Sequence, residues 1–249
     1  MSETQVHVQL LAYTPNPLSV IYAAFRQCYH AGFVGDMWQK LLQGEISRDK
    51  QAALIESTLQ SGHASPVEHV SFTFAVSGVS RALTHQLVRH RIASYSQQSQ
   101  RYVDATCFDY VVPPSIRKIP KARERFDDCM RDIGDAYEKL KVLLEENGVD
   151  KAKEDARFVL PQAAASNIVL TMNCRSLLHF FEERCCMRAQ WEIRTLANAM
   201  LKQCRIVLPE IFTYAGAKCE RLGYCPEGEK FTCGKYPLAS QEIVKRTLI

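Results

Sequence analysis

Long hydrophobic runs are missing from this chain of 249 residues. No stretch approaches the ~20 apolar residues needed to span a bilayer, so no membrane-spanning helix is expected. The amino terminus, MSETQVHVQLLAY, lacks a basic region followed by a long apolar run, and no signal peptide is read there. A charge excess is missing too: 31 Lys and Arg stand against 27 Asp and Glu, a net charge of +4. That balance speaks against a nucleic-acid coat and leaves local basic patches as the informative electrostatics. There is no GxGxxG loop, no regular βαβ rhythm, no internal repeat and no low-complexity run. The expectation is one soluble, cytoplasmic α+β domain over residues 1–249, of ordinary globular composition, with a tail containing Cys, Gly and Pro from about residue 217 onward.

Cysteine, by contrast, is plentiful, with ten residues. Nothing else suggests secretion, and most cysteines sit in apolar runs, so Cys28, Cys174, Cys185 and Cys186 are read as small buried hydrophobes in a reducing compartment. Cys219, Cys225 and Cys233 differ, because they lie in the Gly/Pro-rich tail KCERLGYCPEGEKFTCGKYP. They form no CxxC pair; the expectation is no bound metal, with a structural zinc site or a disulfide as the alternative.

Periodicity yields the elements. Residues 6–13 partly alternate and read as a strand; a helix is expected after Pro17 and another over residues 47–60, stopped by Gly62. Residues 62–66 read as a turn, with Pro66 pushing Ser65 out of helical geometry. Residues 69–77 alternate as a half-buried strand, and Ser80 can cap a helix running to about His90. A strand is expected over residues 108–112, closed by Pro113-Pro114. A long amphipathic helix follows over residues 121–146, then a strand over residues 167–172 and helix over residues 176–208 in one or two pieces.

The densest chemistry lies in RHRIASYSQQSQRY, residues 89–102. Arginine presents a planar donor fork that grips phosphate or carboxylate oxygens in pairs. On a helix reaching His90, residues Gln86, Arg89 and His90 share a face. Cations near a helix carboxyl end are also favoured by the macrodipole. That accounts for one or two of them, but not for the polar run from Ser94 through Ser99 and Gln100 to Arg101 with no acidic residue. An anion-binding loop is the reading that accounts for all of it.

The spacing Arg89-His90-Arg91, seven residues, then Ser99 resembles the motif of the flavin-dependent thymidylate synthases. The likeness continues, in order, in GHASPVEHVSFTF (62–74), ARFVLP (156–161), TMNCRSLLHF (171–180) and AQWEIR (189–194). The resemblance implies an α+β fold with a twisted, mainly antiparallel sheet flanked by helices and one long helix pair. It implies reductive methylation of dUMP to dTMP, with methylenetetrahydrofolate as carbon donor, FAD as hydride source and NADPH as reductant. It further implies a homotetramer with active sites shared between subunits, and no nucleic-acid or membrane partner.

Carried over by position, the family pattern places His63, Ser65, Arg89, His90, Arg91, Gln97, Asn173, Arg175 and His179 at FAD. Gln86, Arg89, Gln97, Ser99, Gln100, Arg101, Arg157 and Arg184 fall at dUMP. Arg184 is the candidate catalytic residue: it lies in SLLHFFEERCCMRAQ, which leaves little solvated face, and Glu182 and Glu183 are read as poorly placed to partner it. A buried guanidinium without a partner is very costly, and the family reading supplies the uracil imide as that partner. On the residues alone, Arg157 suits an ion pair with Glu154 or Asp155, and Glu68 suits either a structural role or a partnership with one of the arginines. Three positions depart from the commonest family pattern: Ser96 where asparagine is frequent, Gln97 where glutamate is, and His179 where asparagine is. Two rivals remain at this point. One is a cysteine-nucleophile thymidylate synthase; the other is a non-catalytic nucleotide- or RNA-binding module, which the near-neutral charge disfavours.

Overall fold

A computed structural model describes residues 1–239. Residues 240–249, the end of the expected domain and tail, lie outside the described residues. Chain contacts group the molecule into two compact units. The first comprises Met1–Gln9, Ala75–Arg91 and Tyr95–Leu170. The second comprises Leu10–Phe74, Ile92–Ser94 and the chain from Thr171 onward. Neither is one continuous stretch of sequence, because the strands themselves run from one unit into the other.

The elements in chain order begin with β1 (His7–Tyr13), α1 (Pro17–Tyr29), α2 (Trp38–Leu42), α3 (Arg48–Gln60), β2 (Ser71–Ser80), α4 (Arg81–Leu87) and β3 (Ser94–Gln97). They continue with α5 (Pro114–Arg117), α6 (Pro120–Glu146), α7 (Ala152–Ala156), β4 (Ala165–Asn173), α8 (Cys174–Arg184), α9 (Trp191–Val207), α10 (Pro209–Phe212) and α11 (Lys218–Leu222). The strands make one antiparallel sheet in the order β1-β2-β4-β3, and the whole is α+β as expected. The two helical pieces expected after Ser176 are α8 and α9, which pack on each other. No helix among the described residues is long and apolar enough to cross a membrane.

Local chemistry explains the boundaries. Pro17 and Pro120 open α1 and α6, where a missing N–H costs nothing. The Ser47 hydroxyl caps α3, accepting from the Lys50 amide at 3.3 Å. Strands β2 and β4 each pass directly into a helix through a capping residue. Ser80 Oγ accepts from the Leu83 amide at 3.0 Å, and Asn173 Oδ1 accepts from the Ser176 amide at 2.9 Å. In β2 Phe72, Phe74, Val76 and Gly78 are buried in alternation, which turns one face of the strand into the core, and the last two residues, Val79 and Ser80, are both buried. Gly78 has φ +66°, and a Cβ there would lie 2.1 Å from the Gln5 carbonyl oxygen, so no side chain fits.

Each unit has its own core. In the first, α6 lays Met130 and Tyr137 against Phe108, Tyr110 and Val112. In the second, Phe72 is completely buried and meets Phe212 edge-on at 5.7 Å, with Phe212 in turn edge-on to Phe181 at 6.0 Å.

Four expectations are corrected. Helix α4 ends at Leu87, not His90: the His90 amide turns back to the Leu87 carbonyl at 3.1 Å, and the Tyr95 hydroxyl lies 2.9 Å from the Leu87 carbonyl and 2.8 Å from that of His90. Residues 108–112 form no strand; Tyr110 makes isolated bridges to Glu3 and Ala164. Tyr110, Val111 and Val112 are buried in succession, so that segment has no solvent face to alternate with. Ser65 is not expelled from helical geometry, since it opens a 3-10 turn, Ser65–His69, with Pro66 in its first turn. Cys28 is exposed rather than buried, and Cys185 and Cys186 are half-buried.

Candidate functional site

The first unit carries the arginine loop. Beyond α4 the chain turns through Val88 and Arg89, and Tyr95 reaches back from β3 to occupy the carbonyls that the helix leaves open. Burial pushes the Tyr95 phenol up to about 12, so it stays protonated and keeps its donor role. Sequence reading singled out the arginines and missed this tyrosine, whose partner lies eight residues away. Because the helix stops early, Gln86 alone remains on it; Arg89 and His90 are placed by the turn, not by a shared helical face. Arg89 and Arg91 are exposed, and His90 is half-buried.

Ser99 and Gln100 line a cavity of about 370 Å³, with Ser77, Gly78, Ser166 and Asn167 on its wall. Next to them, Arg101 donates to Glu154 Oε2 at 2.9 Å, and that bond holds the Glu154 carboxyl below its usual range. On the sequence alone Glu154 or Asp155 suits Arg157; in the fold the Glu154 carboxylate goes to Arg101. Arg157 Nε donates to the Glu154 backbone carbonyl at 3.0 Å, and its guanidinium lies 5.8 Å from the Phe158 ring centre. Arg81, which sequence reading passed over, is half-buried, and burial together with the Arg157 charge depresses its basicity. Two guanidinium groups held near each other are an environment that favours an anion. Gln97 is drawn inward: its amide nitrogen donates to Thr84 Oγ1 and to Ser166 Oγ, both at 3.2 Å, tying α4 to β4.

The loop over residues 98–109 is anchored by Asp104, which also lines the cavity. Burial works to raise the Asp104 carboxyl, but Lys141 Nζ at 2.7 Å and the Thr106 amide at 2.8 Å outweigh it and hold the group well below the carboxylate range. A depressed folded-state pKa contributes stability above the unfolded value of about 3.9, and that contribution is lost as pH falls below it. The melting temperature is therefore expected to decline on acidification below about pH 4. Asp104→Asn should flatten that decline in a pH series of thermal melts; an unchanged slope would remove Asp104 from the loop's anchorage.

The second unit holds the remaining residues. His63 and Ser65 are exposed at the start of the 3-10 turn, with His63 edge-on to Tyr29 at 6.3 Å. Asn173 spends its side-chain oxygen on the α8 cap, so its amide nitrogen is the group left to face a ligand. Arg175 and His179 lie four residues apart on α8, on one face, and Arg175 pairs with Glu68, which resolves the two readings of that glutamate.

Arg184 is the last residue of α8 and is half-buried, not stripped of solvent as expected. Both neighbouring glutamates have partners: Glu182 binds Arg221 and Glu183 binds Lys218, both from α11. The Lys218 bond is the main reason the Glu183 carboxyl is lowered, and the Arg184 charge adds a smaller part. Among the described residues no group of three or more His, Cys, Asp or Glu side chains could hold a metal ion.

An α+β unit with a polar cavity, a run of arginines close by in the chain and exposed Arg89 and Arg91 is a class of protein suited to anionic ligands. The family described as "Thymidylate synthase complementing protein" matches residues 9–210, through both units. A flavin-dependent thymidylate synthase of Nitratidesulfovibrio vulgaris is 70% identical over 240 residues, covering 96% of this chain and 98% of that protein. One of Clostridium tetani is 48% identical, covering 92% and 94%. Among solved structures, a UMP/dUMP methylase, PolB, from Streptomyces cacaoi bound with 5-Br dUMP has a TM-score of 0.67 at 25% identity, covering 86% of this chain and 96% of that one. The Helicobacter pylori flavin-dependent thymidylate synthase complexed with FAD and dUMP shares the fold at a TM-score of 0.62 and 24% identity, covering 84% and 99%.

The chain belongs to the flavin-dependent thymidylate synthase family. It is an enzyme of the methyl-transferring kind, and nothing in these likenesses favours a non-catalytic binding module.

Proposed function

We propose that the chain converts dUMP to dTMP by reductive methylation, with methylenetetrahydrofolate giving the carbon, FAD as the hydride-carrying cofactor and NADPH as its reductant. The observation that carries this reading is the cavity of about 370 Å³ lined by Ser99 and Gln100, the two residues that precede Arg101 in the chain. Its volume lies within the range of small-ligand sites. Serine and glutamine offer hydrogen bonds to a sugar and base, and arginine forks suit a phosphate.

In this reading Arg101 and Arg157 hold the phosphate, while Gln86, Arg89, Gln97, Ser99 and Gln100 orient the nucleotide. Arg184 faces the uracil and stabilises negative charge developing on it. The residues assigned to FAD fit such a group. Arg89 and Arg91 have no acidic partner among the described residues, which suits a diphosphate. His90, His63, Ser65, Asn173, Arg175 and His179 add polar groups of the kind a flavin edge takes, and Gln97, whose amide nitrogen is engaged, would offer its carbonyl oxygen as an acceptor. When bound, FAD supplies the hydride; the side chains bind, orient and polarise. We also propose a cytoplasmic homotetramer with shared active sites, so that residues of the two sets need not come from one chain, and one functional domain over residues 1–249.

Visible absorbance of the purified protein, with and without dUMP, tests the proposal. A flavin band that dUMP perturbs is expected. A protein that neither carries nor takes up FAD would overturn it.

No protein nucleophile is needed. Burial pushes the Cys174 and Cys204 thiols upward, and Cys185, next to Arg184, up to about 12, the reverse of what a nucleophilic thiolate requires. Each of the ten cysteines replaced singly by serine should therefore keep turnover within a few-fold. A well-folded variant that binds dUMP yet makes no dTMP would restore the cysteine-nucleophile route.

A further inference from the structure

Half of the cysteines gather in one place that the reaction above does not use. Cys185 and Cys186 follow α8, Cys219 lies in α11, and Cys225 and Cys233 come from the segment beyond it. All five line a single cavity of about 60 Å³ within the second unit. Core packing does not account for the set, because Cys233 is exposed and Cys185 and Cys186 are only half-buried. The surrounding cations are already engaged: Arg188 with Glu227, Lys218 with Glu183 and Lys235 with Glu220. Nor are these side chains disposed to hold a metal ion, which separates the cluster from a preformed zinc site.

We propose that Cys186 and Cys219 are a redox modification site, forming a reversible disulfide that ties the α8–α9 connection to the tail. Cys186 is half-buried, open to a small oxidant, and Cys219 is buried against the same cavity, placed to resolve it. After burial, the Cys186 thiol is the largest influence that raises Cys219, ahead of Cys225. The tail around the pair is positioned by a backbone bond from the Cys225 amide to the Pro237 carbonyl at 2.7 Å.

The oxidant is a peroxide. Its O–O bond breaks as the Cys186 sulfur takes one oxygen to become a sulfenic acid, and water leaves. The Cys219 thiol, kept protonated by burial, attacks that sulfur slowly as its proton passes to the sulfenic oxygen; the S–S bond forms and that oxygen departs as a second water. Two thiols lose two electrons, and a small dithiol returns them by exchange.

The test treats the full-length, reduced protein with hydrogen peroxide, blocks remaining thiols with a maleimide and maps tryptic peptides without reduction. A linked pair joining residues 185–188 to residues 219–221, two hydrogens lighter than the separate peptides, is expected. Dithiothreitol should dissolve it. It should persist in Cys185→Ser and vanish in Cys186→Ser and in either Cys219→Ser or Cys219→Ala. The wild-type map decides by itself if a Cys219 variant does not fold. The proposal is overturned if peroxide leaves all ten thiols free or carries Cys186 to a sulfinic acid without a link. Persistence of the link in Cys186→Ser, or a zinc ion found on these thiols in the isolated protein, overturns it equally.

Discussion

Arg184→Lys is expected to fold, retain flavin and bind dUMP, yet form dTMP on the order of 10²-fold more slowly. The residue closes α8 and is half-buried beside Glu183, whose carboxylate is held chiefly by Lys218. Lysine preserves the positive charge, so the ion pairs with α11 and the packing of Phe180 and Phe181 below it should survive. What lysine cannot reproduce is a planar fork able to hold two acceptors at fixed angles. If Arg184 acts where charge develops on the uracil, kcat falls while the phosphate, gripped elsewhere, keeps dUMP affinity near normal. Single-turnover formation of dTMP, with the dUMP-induced flavin shift recorded in parallel, reads both quantities. Near-normal turnover would remove Arg184 from the chemical step.

The second large effect is on stability. Phe72→Ala should lower the unfolding free energy by roughly 3–5 kcal/mol, the range for deleting a buried aromatic ring. Phe72 is fully buried and is the hub of its unit's aromatic cluster, touching Tyr13, Phe74 and Phe212 with ring centres 5.7 to 6.3 Å apart. The surrounding strand and helices are each pinned by their own hydrogen bonds and cannot easily collapse into the void. Denaturant unfolding of the variant measures the loss; a cost below about 1 kcal/mol would mean that the cluster relaxes to fill the space.

What could be read from the chain in advance divides by range. Helices α1, α3 and α6 carry their start signals within a turn of themselves, at Pro17, Ser47 and Pro120, and their starts were legible to within a residue or so. The end of α4 was not, because its termination depends on a tyrosine hydroxyl from β3. Residues 108–112 misled because their buried run looks like a strand while their pairing comes from single bridges. In the site, residue type alone pointed to an anion-binding loop. Which carboxylate engages Arg101 could not be seen, since Glu154 lies 53 residues away in sequence. The nearness of Arg81 to Arg157 was hidden for the same reason. Glu68 was legible as a possible arginine partner, and the fold chose Arg175.

The Arg101–Glu154 pair bears on the proposed uptake of nucleotide. If Arg101 takes the phosphate as proposed, the phosphate does not meet a bare cation; it displaces the Glu154 carboxylate, and the arginine trades one anion for another. Part of the attraction is cancelled by freeing Glu154, which then swings into water or repels the newcomer. Affinity for the nucleotide should accordingly fall less steeply with added salt than a tally of arginines implies, because salt weakens the resident pair along with the incoming one. The loop behaves as an ion exchanger with a built-in counterion, and selectivity rests on how many forks a ligand engages at once, so that a doubly charged phosphate monoester outcompetes a lone carboxylate.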